Sequence, residues 1–105
     1  MDAYTALADP TRRTIVEMLT ERELTAGEIA ARFPVSGPAI SKHLRVLRET
    51  GLCRFDRRAQ RRVYRLEPQP LREAVDWMRA QLDGWARRFD ALGRVLDDLQ
   101  HEEES

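Results

Sequence analysis

Beyond residue 70, apolar side chains fall at Leu71, Val75, Met78, Leu82, Trp85, Phe89, Leu92, Leu96 and Leu99, alternately four and three residues apart. That spacing keeps one stripe of side chains on one face of an α-helix. The helix should run from about residue 69 to about residue 100, and something must cover its stripe. A chain of 105 residues has room for one domain with a modest core. Such a domain is too small to cover a seam of four heptads alone. A homodimer is therefore expected, with Leu71, Val75, Met78, Leu82, Trp85, Phe89, Leu92 and Leu96 at its interface. Tyr4 and Leu7, spaced to share one face of a short N-terminal helix, would help to cover the seam. Trp77 falls off it and would pack on the rest of the domain or on the partner. Gly84 and Gly93 weaken the helix by about 1 kcal/mol each relative to alanine.

Upstream, the helix signals are local and chemical. In "DPTRRTIVEML", Asp9 can cap a helix whose first position is Pro10, where a missing N–H costs nothing. Ile15, Val16 and Leu19 would form its inner face, and the helix should end before Arg22 or Glu23. Thr25 followed by Glu28 reads as a capping box. It would start a short helix through Ile29 and Ala30 to about Phe33, with Pro34 helping to end it.

The stretch "VSGPAISKHLRVLRETG", Val35 to Gly51, separates into two faces when wound as a helix from Ser36. Ile40, Leu44 and Leu47 lie on one stripe, with His43 at its edge as a packed histidine. Pro38, Ser41, Lys42, Arg45 and Glu49 lie opposite. Arg48 lies on the flank, placed to pair with acids. Ser36 is a good N-cap, and Gly51 sits where a left-handed residue would close the helix. The period then changes. "LCRFDR" and "RVYRLE" read as two strands joined by a polar tip. With no Asn-Gly or Asp-Gly pair, a longer, looser loop is expected rather than a two-residue turn.

The balance of 18 basic and 18 acidic residues hides an asymmetry. Residues 1–67 carry 13 Lys and Arg against 9 acids, and residues 37–66 carry 9 against only Glu49 and Asp56. A positive field this concentrated suits a polyanion. Two short helices followed by a hairpin make a helix-turn-helix, about residues 25–50, and a wing, about residues 52–67. In such units the second helix enters the DNA major groove. Ser41, Lys42 and Arg45 would then face bases or phosphates, with Ser36 and Gly37 near the end that approaches first. Thr25 and Ser36, at helix N-termini, are placed for phosphate. Arg57, Arg58, Arg61 and Arg62 flank the wing tip and suit a minor groove or its backbone. Arg54 and Arg65, further down the strands, would be solvated or paired.

Other function classes find little support. No uncharged apolar run is long enough to span a membrane, and "MDAYTALADPTRR" lacks the pattern of a secretion signal. The lone cysteine, Cys53, can form neither an intramolecular disulfide nor a metal cluster, which fits a cytoplasmic setting. A strand cysteine is more often packed and inert than a thiol switch. No acid/base or nucleophile/base pair suggests an enzyme, and no cofactor is expected.

"LADPTRRTIVEML", "LTAGEIAARFPVSGPAISKHLRVLRETGLC" and "RRAQRRVYRLE" together resemble the ArsR/SmtB family of bacterial winged-helix repressors. The likeness covers about residues 5 to 67. It implies a mainly α fold with a small β-hairpin, a homodimer built from N- and C-terminal helices, and repression by operator binding that an inducer relieves. Two departures qualify it. The Cys-x-Cys of the metal-sensing branch matches Thr25 and Gly27, which cannot ligate a soft metal. The C-terminal helix, home of the family's other metal site, offers only His101. Gly37 replaces a position where relatives often carry a polar side chain such as Gln. The expectation is a dimeric repressor, not metal-responsive, acting on an inverted-repeat operator in double-stranded DNA. The alternative is a winged-helix protein-interaction module that uses its C-terminal heptads.

Overall fold

The structure is a computed structural model that describes residues 1–104. Its elements are α1 (Ala3–Ala8), α2 (Pro10–Glu21), β1 (Leu24–Thr25), α3 (Ala26–Ala30), α4 (Gly37–Glu49), β2 (Cys53–Arg58), β3 (Arg61–Leu66) and α5 (Gln69–Glu104). The chain divides into two compact units, Met1–Ala74 and the remainder from Val75 on.

The first unit is a winged helix-turn-helix, and its helix ends follow from short polar side chains. Asp9 accepts the Arg12 backbone N–H at 3.0 Å and caps α2, with Pro10 at the first position. Thr25 and Glu28 form the reciprocal capping box of α3. Ser36 caps α4 through the Ala39 N–H. At the far end of α4, Gly51 has φ +76°. Its N–H reaches the Arg48 carbonyl and the Leu52 N–H reaches the Leu47 carbonyl, which is the Schellman pattern. The helix α3 is shorter than the sequence suggested. It ends at Ala30, and the Arg32 and Phe33 N–H groups turn back to Ile29 and Ala30.

Behind these ends lies one core. Ile15, Val16 and Leu19 of α2, Ile29 of α3, Ile40, Leu44 and Leu47 of α4, and Leu52, Cys53 and Tyr64 at the hairpin are all buried. The sheet is antiparallel in the order β1-β3-β2. Its edge strand β1 was not foreseen: Leu24 and Thr25 pair with Tyr64 and Val63. The hairpin turn also departs from expectation. Arg58 pairs with Arg61, so only Ala59 and Gln60 form the loop, and Ala59 takes φ +57° in place of the glycine or asparagine usual there.

From Val75, α5 continues without a break, its seam residues at Val75, Met78, Leu82, Trp85, Phe89, Leu92, Leu96 and Leu99 between 45% and 66% exposed. The Trp85 and Phe89 rings stack along the helix with centroids 5.1 Å apart. Leu71 belongs to the first unit. Both Leu71 and Leu7 are half-buried against that unit's own core, which leaves only part of each side chain for another partner.

Candidate nucleic-acid interface

The inner stripe of α4 anchors it, and the outer face stays open. Ile40, Leu44 and Leu47 are buried, whereas Ser36, Gly37, Ser41, Lys42 and Arg45 are exposed. No acid stands in the first turn of α4, and a side chain added at Gly37 would meet nothing. This helix start is therefore sterically and electrostatically open to an anion. Arg45 donates through Nε to Glu49 at 2.9 Å, one turn on. An exposed pair of this kind is worth less than about 1 kcal/mol, so Arg45 can exchange Glu49 for a better acceptor at little cost.

Thr25 is placed differently. Its N–H already donates to the Glu28 carboxylate, and its hydroxyl accepts the Glu28 N–H. The Thr25 backbone N–H, followed by its hydroxyl, holds the Glu28 carboxyl below the usual range. Arg22 and Arg61 add to the effect. Thr25, Gly27, Glu28, Gln60, Arg61 and Arg62 line a groove between the start of α3 and the wing tip. A carboxylate stands where a phosphate at Thr25 would approach, so the start of α3 is a poorer anion seat than the start of α4.

The hairpin register sorts the wing arginines onto two faces. Arg57 lies opposite Arg62, and Arg58 opposite Arg61. Side chains alternate along a strand, so Arg57 and Arg62 continue the face of Cys53, Phe55, Tyr64 and Leu66, toward α4. Arg54, Arg58, Arg61 and Arg65 lie on the other face. There, acids answer most of them. Arg54 meets Glu67 at 3.4 Å, Arg58 meets Glu23 at 3.0 Å, and Arg65 meets Asp56 and Glu67 at 3.6 Å each. Among the described residues, no acid lies within ion-pair reach of Arg57 or Arg62. Like charges directly opposite one another destabilise a hairpin, so this tip carries two arginine pairs against the interest of its own stability.

The two flanks of α4 also differ. His43 is only a quarter exposed, but it is not packed in apolar surroundings as expected. Its Nδ1 lies 3.4 Å from an Arg12 guanidinium nitrogen and 3.7 Å from the Asp9 carboxylate. Arg12 also donates to the Ala6 and Thr5 carbonyls at the end of α1. The Arg12 N–H holds the Asp9 carboxyl below its ordinary range; burial opposes this, and the His43 and Arg12 charges reinforce it. On the opposite flank, Arg48 meets no acid among the described residues, contrary to expectation. Its guanidinium carbon lies 5.1 Å from the centre of the Phe55 ring. Neither partner could be foreseen from helical spacing, because each contact joins elements distant in sequence.

Comparison with known proteins bears on this architecture. Residues 9–54 match the family described as "Bacterial regulatory protein, arsR family". The chain is 46% identical over 96 residues to the HTH-type transcriptional regulator Rv2034 of Mycobacterium tuberculosis, covering 87% of this chain and 89% of that protein. The chain belongs to the ArsR family. The transcriptional repressor SdpR of Bacillus subtilis is 36% identical over 73% of this chain and 86% of its own. An ArsR-like transcriptional regulator from Rhodococcus sp. RHA1 superposes with a TM-score of 0.79 at 30% identity, over 88% of this chain and 87% of its own.

ArsR-family proteins are DNA-binding transcriptional regulators rather than enzymes, and that is the function of this chain at the level of class. Among the described residues no helix is long and apolar enough to cross a membrane. No group of three or more His, Cys, Asp or Glu among them could hold a metal ion. Cys53 is buried in the core, and burial pushes its thiol up to about 11, against a smaller pull from Arg48. Burial thus lowers the thiolate fraction on which redox reactivity depends.

Proposed function

We propose that this ArsR-family chain is a homodimeric repressor that binds an inverted-repeat operator and does not respond to metal. Ser36, Gly37, Ser41, Lys42 and Arg45 would meet the major groove and its edge, and Arg57, Arg58, Arg61 and Arg62 the neighbouring backbone or minor groove. Within this set the open start of α4 is favoured over Thr25. Arg57 and Arg62 are favoured over Arg58, which must first leave Glu23. The observation that carries the reading is the conjunction of an exposed α4 face whose first turn holds no acid with unanswered arginines on the wing face beside it, all in one compact unit.

Dimerisation rests on the α5 seam. An uninterrupted apolar stripe that is about half exposed is costly in water, and a second copy offers the same stripe in the same period. Independence from metal rests on Thr25 and Gly27, which occupy the positions of the sensing cysteines, and on the single buried thiol. A cytoplasmic location goes with this function. The deciding experiment is a footprint of the purified protein on its own upstream DNA. Two protected half-sites on one face of the duplex, about 34–36 Å apart, are expected. Added Zn²⁺ should leave them in place. One unrepeated protected stretch would remove the dimeric operator, and release by Zn²⁺ would remove metal independence.

A further inference from the structure

Arg48 stands apart from the other arginines of α4 and the wing. Of those on the outer wing face, Arg54, Arg58 and Arg65 meet acids, and Arg45 meets Glu49. Arg48 instead shares one aromatic ring with Arg62. Their guanidinium carbons lie 5.1 and 4.8 Å from the Phe55 ring centre, and Tyr64 braces that ring at 5.4 Å. Two cations are thus gathered on one electron-rich ring, one from the last turn of α4 and one from β3. Among the described residues neither has an acid within ion-pair reach. The Nε of Arg48 is buried without any hydrogen-bond partner. Gathering two like charges without a counter-charge is unfavourable unless an anion arrives between them. Each guanidinium presents planar donors that match phosphate oxygens.

We propose that Arg48 and Arg62, held on Phe55, form a two-guanidinium seat for a single DNA phosphate at the joint between α4 and the wing. The proposal rests on the DNA-binding reading above and adds two residues, Arg48 and Phe55, to its interface. Phe55 acts here as a positioning residue. It ties the recognition helix to the wing and sets the spacing at which both reach one strand of the duplex.

The test uses the full-length protein and two probes, a duplex from its own upstream region and an unrelated duplex of equal length. Affinity is measured by anisotropy from roughly 50 to 200 mM salt. Arg48→Gln/Arg62→Gln should weaken both probes and lower the slope of log affinity against log salt by about one per protomer, not two, because one phosphate is lost. Arg48→Lys keeps the charge but not the plane, and should weaken binding several-fold with the slope near that of wild type. Phe55→Leu should weaken binding in the wild-type background and change nothing further in the double variant; melting curves verify its fold, and Arg48→Lys stands in for it if the fold is lost. The seat is wrong if Arg48→Gln binds as wild type while Lys42→Ala/Arg45→Ala binds weakly, or if the double variant loses two units of slope per protomer. Failure of the wild type to bind either duplex would remove the DNA reading itself, and the seat with it.

Discussion

Residues 1–74 and the helix beyond Val75 carry apolar residues in equally regular patterns, but with opposite outcomes. In the first unit the patterned residues are inside: Ile15, Ile29, Ile40, Leu47 and Leu52 are essentially inaccessible. In the second they are outside, with Leu82, Trp85 and Phe89 each at least 60% exposed. Periodicity identifies the face that wants covering; it does not say what covers it. The first unit answers with its own elements, because its helices are short and turn back on each other. The second is a single helix and has no element of its own to answer with.

The largest effects should separate the two units by their dependence on concentration. Ile29→Ala removes a fully buried side chain, and a loss of about 2–5 kcal/mol is expected in chemical denaturation. That loss should be the same at low and high protein concentration. Trp85→Asp places a charge in the seam and should leave the first unit folded while sedimentation shows a monomer at micromolar concentration. A Trp85→Asp protein that sediments as the wild type does would mean that the seam is not the dimer contact.

Smaller effects are expected on the open face of the first unit, where the proposed DNA contacts add little to stability. Arg45→Ala gives up only an exposed pair with Glu49, so its melting temperature should barely change. If Arg45 reads a base, its loss should weaken operator binding by about 1–3 kcal/mol per half-site and relax preference at that position. A uniform loss over all sequences would instead make Arg45 a phosphate contact.

Much of this division was legible in the residues themselves. Asp9, Thr25 with Glu28, and Ser36 mark helix starts by chemistry that acts within three residues, and each cap is present. Ile15, Val16 and Leu19 declare a buried face by spacing. The misses share one cause: they depend on contacts between distant segments. A two-residue strand such as Leu24–Thr25 has no period to read and exists because β3 pairs with it. Arg48 finds Phe55, and His43 finds Arg12 and Asp9, only after the helices are packed. The site followed the same rule. Which residues are basic was visible at once; which acids answer them was set by the hairpin register.

Cys53 offers a probe of how closed the first unit is. Its thiol ionises near 9.0 when unperturbed and near 11 when folded. Below pH 9 both states are protonated and the full stability is present. Between pH 9 and about 11 the unfolded chain releases this proton and the folded chain does not, so stability falls as pH rises. Cys53→Ala should be less stable at pH 7 and should lose less on going to pH 10.5, as read by denaturant midpoints. Identical alkaline profiles would mean that the thiol is open to water.

The smallest effect lies at the wing tip, where the first unit departs from local rules. Ala59 adopts φ +57° in a two-residue turn. For a residue with a Cβ, a left-handed backbone costs roughly 1–2 kcal/mol. Glycine removes that cost but loses about 0.5–1 kcal/mol through the extra freedom of its unfolded chain. Ala59→Gly should therefore stabilise the protein by about 0.5 kcal/mol in denaturant titration. It removes no charge, so DNA affinity and salt slope should stay as in wild type. Destabilisation by the same substitution would show that Ala59 does not hold a left-handed φ in solution. Arg58 and Arg61 would then not be paired across a tight turn, and the longer, looser tip suggested by the absence of Asn-Gly would be correct. Their spacing would then be set by the duplex they meet rather than by the hairpin.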